Sequence, residues 1–178
     1  MTRKLRDAPA YAEKGVAGSI LKISAASYGF APTVDELTMP TGFDPRAAAL
    51  FEAIVESAFL VAVADGEFDD SERSAFEHVV ISACDGVVTE RQMHGLIADL
   101  QDQLTEDGID KRVKMVAKTI TKTEHAREAL RISALLAHVS GGVSDIEREV
   151  LSKLSSAFGL DGGAVKSAMK EVEEALAD

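Results

Sequence analysis

Apolar residues recur at helical spacing along most of this chain, and the alternation of a half-buried strand is sustained nowhere. The pattern predicts a long helix over 45–64, opened by Asp44 as a cap with Pro45 in the first helical position, and with Leu50, Ile54, Phe59 and Val61 turned inward. After Ser57 this helix is apolar nearly all round, the mark of an element enclosed by several neighbours. Asp69 starts a second helix, with Glu72 three residues on completing a variant capping box and Phe76, Val79 and Val80 facing the core; it ends around 84–86. Thr89 caps a third helix that carries Met93, Leu96, Ile97 and Leu100 and stops near 105–110. Asp110 is expected to cap a fourth, with Val113, Val116, Ala117 and Ile120 as its apolar face. Three more follow over 124–139, 145–158 and 163–177, so the expectation is an all-α domain of about seven helices.

All four prolines, Pro9, Pro32, Pro40 and Pro45, fall in the first 45 residues, and their absence afterwards permits an uninterrupted helical array. The chain therefore divides into an N-terminal arm over 1–43, with a short helix over 11–25 and an extended linker over 29–43, and a helical domain over 44–178.

Charge narrows the functional classes. The formal net charge is −11, while residues 1–45 hold equal numbers of acidic and basic side chains, so the helical body carries the whole imbalance. Such a body is repelled by phosphate backbones and anionic lipid, which makes nucleic acid a poor partner and favours cations or basic protein patches. Cys84 is the single cysteine; it can form no intrachain disulfide or cysteine metal cage and fits a cytoplasmic protein. No apolar run reaches the length of a membrane span, and the N-terminus, interrupted by Asp7, Glu13 and Lys22, does not read as a signal peptide.

Five carboxylates, Asp65, Glu67, Asp69, Asp70 and Glu72, crowd into eight residues after the first body helix. Repulsion at that spacing needs open water or a cation. Hard cations such as Ca²⁺ and Mg²⁺ select oxygen ligands, Asp65, Glu67 and Asp69 alternate in a short loop, and Gly66 supplies tight turn geometry. The spacing is not that of an EF-hand, because Asp70 holds the sixth place and Phe76 the twelfth. Helix-start chemistry accounts equally well for Asp69, Asp70 and Glu72, since acidic residues cap and oppose the macrodipole there. A repeat accompanies the cluster. Seventy-five residues after 59–76, the stretch 134–151 matches it at Leu60 and Leu135, Ala62 and Ala137, Gly66 and Gly141, Asp70 and Asp145, Glu72 and Glu147, and Arg73 and Arg148. A fainter third copy stands at 84–93.

The run ADGEFDDSER over 64–73, with its partner loop before the FGLD of 158–161, resembles the TerB-like tellurite-resistance family over about residues 46–178. The resemblance implies an all-helical fold of two pseudo-repeated halves and a non-catalytic role in bacterial stress response or tellurite resistance. It also implies a divalent cation held by acidic loop residues, and protein partners that are often membrane-associated, which would place the chain in the cytoplasm or peripherally at the membrane. Carried over position by position, Asp65, Glu67 and Glu72 match the first loop and Glu147 the second, while Ser140 and Gly142 stand where acidic residues are common. With Asp69 from the residue-level reading, the candidate metal set is Asp65, Glu67, Asp69, Glu72 and Glu147, for Ca²⁺ or Mg²⁺. The rival reading is a metal-free interaction scaffold with a degenerate acidic site.

Other groupings are weaker. Glu90 and His94 lie four apart on one helix face, His138 sits on an apolar stretch, and His78 and Cys84 fall on different helix faces, which leaves Cys84 as a structural thiol. Lys111, Lys114, Lys118 and Lys122 form a basic stripe that reads first as a solvated face. No nucleophile, base and orienter converge, so no enzymatic activity is expected.

Overall fold

The computed structural model describes residues 16–30, 43–66, 68–139 and 142–177. Among them are eight helices and no strand: α1 (Val16–Gly29), α2 (Pro45–Ala62), α3 (Asp70–Ala83), α4 (Glu90–Asp107), α5 (Ile109–Thr119), α6 (Thr123–Val139), α7 (Asp145–Ala157) and α8 (Ala164–Ala177). The all-α expectation holds. No described helix is long and apolar enough to cross a membrane.

Helix α2 is the axis of the molecule. The Asp44 carboxylate accepts from the N–H groups of Arg46 (2.9 Å) and Ala47 (3.4 Å), and Pro45 enters without a donor to satisfy. Phe51, Ile54, Ala58, Phe59, Leu60 and Val61 are fully buried, and α1, α4, α5, α6 and α7 all pack against this helix. Each such large apolar side chain stabilises the fold by roughly 2 kcal/mol relative to exposure. Small residues on α2 (Ala53, Ser57, Ala58) and on α6 (Ala126, Ala129, Ser133, Ala134) are buried, and the two helices pack against each other. The buried hydroxyls find partners one turn back: Ser57 donates to the Ala53 carbonyl (2.8 Å) and Ser133 to that of Ala129 (2.7 Å).

The arm joins this core. The helix expected over 11–25 is found at Val16–Gly29, with Leu21 and Ala25 buried; residues 1–15 and the linker over 31–42 lie outside the described residues. Tyr28 stacks on Phe51 with ring centroids 4.9 Å apart, the Gln92 amide donates to the Gly29 carbonyl (3.2 Å), and Lys22 pairs with Asp85. Gly29 allows the close approach to the loop after α3, because a Cβ there would stand 2.7 Å from the Val87 carbonyl oxygen.

Asp110 does not cap α5. Gly108 occupies that position at φ 75° with no side-chain bond, so α4 passes into α5 through one left-handed glycine, and Asp110 reaches across to Lys153 of α7 (2.9 Å). Asp107 instead accepts from Lys111 and Arg112, and these bonds hold its carboxyl below the usual range. Arg112 also makes a charged link into the buried face of α2: its guanidinium donates to both oxygens of Glu56 at 2.6 and 2.9 Å, with 12% and 9% of the two side chains exposed. Breaking one partner of a buried pair leaves an uncompensated charge. Arg112→Ala is therefore expected to cost about 3 kcal/mol in urea unfolding, whereas the Glu56→Leu/Arg112→Met double variant should recover most of that loss.

Candidate functional site

The acidic loop is anchored by an aromatic residue. Gly66 turns the chain at φ 84°, Phe68 points inward with its ring edge-on to Phe59 (5.6 Å) and Phe76 (6.1 Å), and α3 begins directly afterwards. Asp69 and Glu72 form a reciprocal capping box: the Asp69 carboxylate accepts from the Glu72 N–H (2.8 Å), and the Glu72 carboxylate accepts from the Asp69 N–H (3.2 Å). The same device recurs in the second loop, where Ser144 accepts from the Glu147 N–H (3.2 Å) and Glu147 accepts from the Ser144 N–H (2.7 Å). It recurs again at Thr89 and Gln92, in the third copy of the repeat.

The five candidate ligands therefore stand as follows. Asp69 and Glu72 are together, each engaged with backbone N–H groups. Asp65 is exposed at the turn before them, and Glu67 lies outside the described residues. Glu147 is buried and starts its own helix in the other half. A void of about 20 Å³ lined by Phe68, Glu72, Phe76, Leu136 and Val139 brings the end of α6 beside the first loop; it is largely apolar and barely larger than one water. Among the described residues no group of three or more His, Cys, Asp or Glu side chains is arranged to hold a metal ion.

The weaker groupings also have definite places. His94 approaches Glu77 of α3 (3.5 Å), which also receives Arg73 (3.2 Å), and His94 and Glu77 border an open cleft of about 500 Å³ with His78 and Glu90. Cys84 is fully buried, and burial, followed by the neighbouring Asp85, pushes its thiol up to about 12, as a structural thiol requires. Lys111 pairs with Asp107, while Lys114, Lys118 and Lys122 are exposed.

A second cleft escaped sequence reasoning. Some 210 Å³ in volume, it opens where α1, α2, α4 and α5 meet, bordered by Tyr28, Glu52, Asp99 and Met115 with the Glu56–Arg112 pair at its wall. Water reaches the Glu52 carboxyl, yet burial by the walls, and then the charges of Asp99 and Glu56, hold its proton affinity above the ordinary value. Burial, and then the charges of Glu52 and Asp99, push the Tyr28 phenol up to about 12. No sequence signal marks the pair, since Glu52 and Asp99 are far apart in the chain and each reads as a solvated helix position.

Compared with known proteins, the chain matches no family model, no curated protein and no solved structure.

Glu128 of α6 is the other carboxyl that the sequence does not single out. It is 2% exposed, its Oε1 has no hydrogen-bond partner, and burial pushes its carboxyl up to about 7, against a smaller downward pull from Arg131. An acid whose proton affinity is higher in the folded chain favours folding while protonated, so its contribution is complete below the ordinary 4.5 and is lost as pH rises through about 7. That difference corresponds to roughly 3 kcal/mol. The carboxyls of Asp107 and Asp110, held down by hydrogen bonds from their basic partners, act in the opposite sense and in a lower window, as pH falls below their ordinary 3.8. Denaturant unfolding between pH 4.5 and 8 should thus show stability falling with pH, and Glu128→Gln should flatten the curve.

Proposed function

We propose that this chain is a non-catalytic helical module of TerB-like type that acts by binding a protein partner. The observation that carries this reading is the engagement of Asp69, Glu72 and Glu147 in capping boxes: the loops that would hold a metal serve as helix starts, and their oxygens already accept from backbone N–H groups. The three capping boxes at Asp69, Thr89 and Ser144 also support the reading of repeated helical units, two of them related by the interval seen in the sequence. A role in a bacterial stress-response or tellurite-resistance-type system, with a partner that sits at the membrane in some members, follows from the family resemblance alone. An acidic body does not suit tellurite itself, an oxyanion, as the ligand.

A second reading keeps the divalent cation. Asp65 is exposed within the same short loop as Asp69 and Glu72, and a Ca²⁺ or Mg²⁺ ion there would draw Glu72 from its cap and neutralise the crowded oxygens. Calorimetric titration with Ca²⁺, Mg²⁺, Mn²⁺ and Zn²⁺ separates the two. The interaction module should give no saturable heat and no rise in melting temperature. Saturable heat that disappears in Asp65→Ala, accompanied by a raised melting temperature, would establish the cation site instead.

A further inference from the structure

We propose that the cleft between α1, α2, α4 and α5 receives a lysine side chain from a protein partner, its ammonium set between Glu52 and Asp99 and its stem laid along Leu100 and Met115. The proposal rests on the reading of the chain as an interaction module and names where and by what chemistry it engages.

Charge complementarity comes first. Of the acidic residues around the cleft, Glu56 is matched by Arg112 through two hydrogen bonds, and the same guanidinium serves Asp107 at 3.1 Å. Glu52 and Asp99 project from different helices, and among the described residues neither forms an ion pair. Each is close enough to disfavour ionisation of its neighbours, so the space between them is poised for a positive charge. Arg112 cannot supply it, because its donors are directed to Glu56 and Asp107.

Size and lining then select the cation. The cleft, at 210 Å³, is below the roughly 300–1,000 Å³ of a site for a drug-sized molecule and suits one long side chain. Leu96, Leu100, Met115 and Val116 give it an apolar wall, of which Met115 is 42% exposed and open to contact. A lysine stem buries its methylenes on such a wall while its head stays polar. An ammonium is a compact charge with three rotatable donors, suited to acceptors such as Glu52, Asp99 and Tyr28 that come from three different helices of one cleft, whereas a guanidinium prefers the two oxygens of one carboxylate. The Tyr28 hydroxyl donates to the Gln92 carbonyl at 3.5 Å, which leaves its oxygen free to accept.

Lys114 and Lys118 are exposed on α5 within a turn of Met115 and Thr119 and would repel a segment that is basic throughout. The occupant that fits is an isolated lysine among neutral neighbours, since acidic ones would be repelled by the net −11 of the chain. The acidic body supplies long-range attraction for such a partner only through that lysine, which makes the cleft the point of specificity.

The test uses an alanine- and glutamine-based peptide with one central lysine, the same peptide with that lysine acetylated, and n-butylammonium as a free-amine control, each titrated into the full chain with amide chemical shifts as the readout. Saturable shifts confined to Tyr28, Glu52, the 96–103 turns of α4 and Met115 are expected with the lysine peptide and not with its acetylated form. Glu52→Gln and Asp99→Asn, both exposed positions, should each weaken binding about tenfold, the effect of one charge-assisted hydrogen bond, with the melting temperature checked for intact folding. Asp65→Ala should leave it unchanged. Equal binding of the acetylated peptide, shifts spread over the acidic surface, or indifference to both cleft variants would overturn the proposal. Butylammonium binding as tightly as the peptide would also overturn it, in favour of a free amine as the ligand. The outcome is independent of the divalent titration, so a chain that takes no metal and no lysine loses this proposal and keeps the interaction reading.

Discussion

Helix α2 is apolar around most of its circumference from Ala53 to Val61, and no arrangement stable in water leaves such a helix uncovered. One amphipathic neighbour shields only a stripe. Five described helices, α1, α4, α5, α6 and α7, pack against α2, α1 coming from the N-terminal segment. The pairing of Tyr28 with Phe51 and the burial of Leu21 and Ala25 belong to this same demand for cover. The one charge that enters the buried part of α2, Glu56, is tolerated because Arg112 meets it with a two-point contact that fixes α5 against the axis.

That geometry also explains where the second cleft lies. Its α2 wall is built from Ala49, Glu52, Ala53 and Glu56, small or charged residues at the i, i+3, i+4, i+7 spacing of one helix face. Small side chains fill less of the space between α4 and α5 than Phe51 or Ile54 fill elsewhere, and the charged ones hold the remaining gap open to water. The cleft is what remains where the covering of α2 is incomplete.

Helix starts were legible in the sequence because capping is local chemistry. Asp44, Asp69, Thr89 and Ser144 each act on N–H groups two or three residues away, so residue type and spacing suffice to find them. Asp110 misled for a related reason: it has a cap former's side chain, but Gly108, which can adopt positive φ, lets α5 begin earlier and leaves Asp110 for Lys153. The packing of α1 on the core was not legible, since Pro32 and Pro40 mark a break in helix without saying where the flanking segments dock. The acidic loop was ambiguous at the level of physics. A carboxylate that accepts from a backbone N–H and one that ligates a hard cation are the same residue at the same kind of turn, and only the positions of the donors distinguish them.

Density of charge along the sequence is a poor guide to where charge matters. Asp65, Asp69 and Asp70 follow one another closely but are exposed, so water screens much of their repulsion. Glu52 and Asp99 are only two, yet they line one walled cleft, where burial and then the charge of Asp99 raise the proton affinity of Glu52. A charge brought into such a cleft exchanges more energy with the protein than one approaching an open loop, provided its own desolvation is repaid by well-placed acceptors. Tertiary packing, by converting two ordinary surface carboxylates into a walled pair, creates a recognition feature that no single segment of this chain contains.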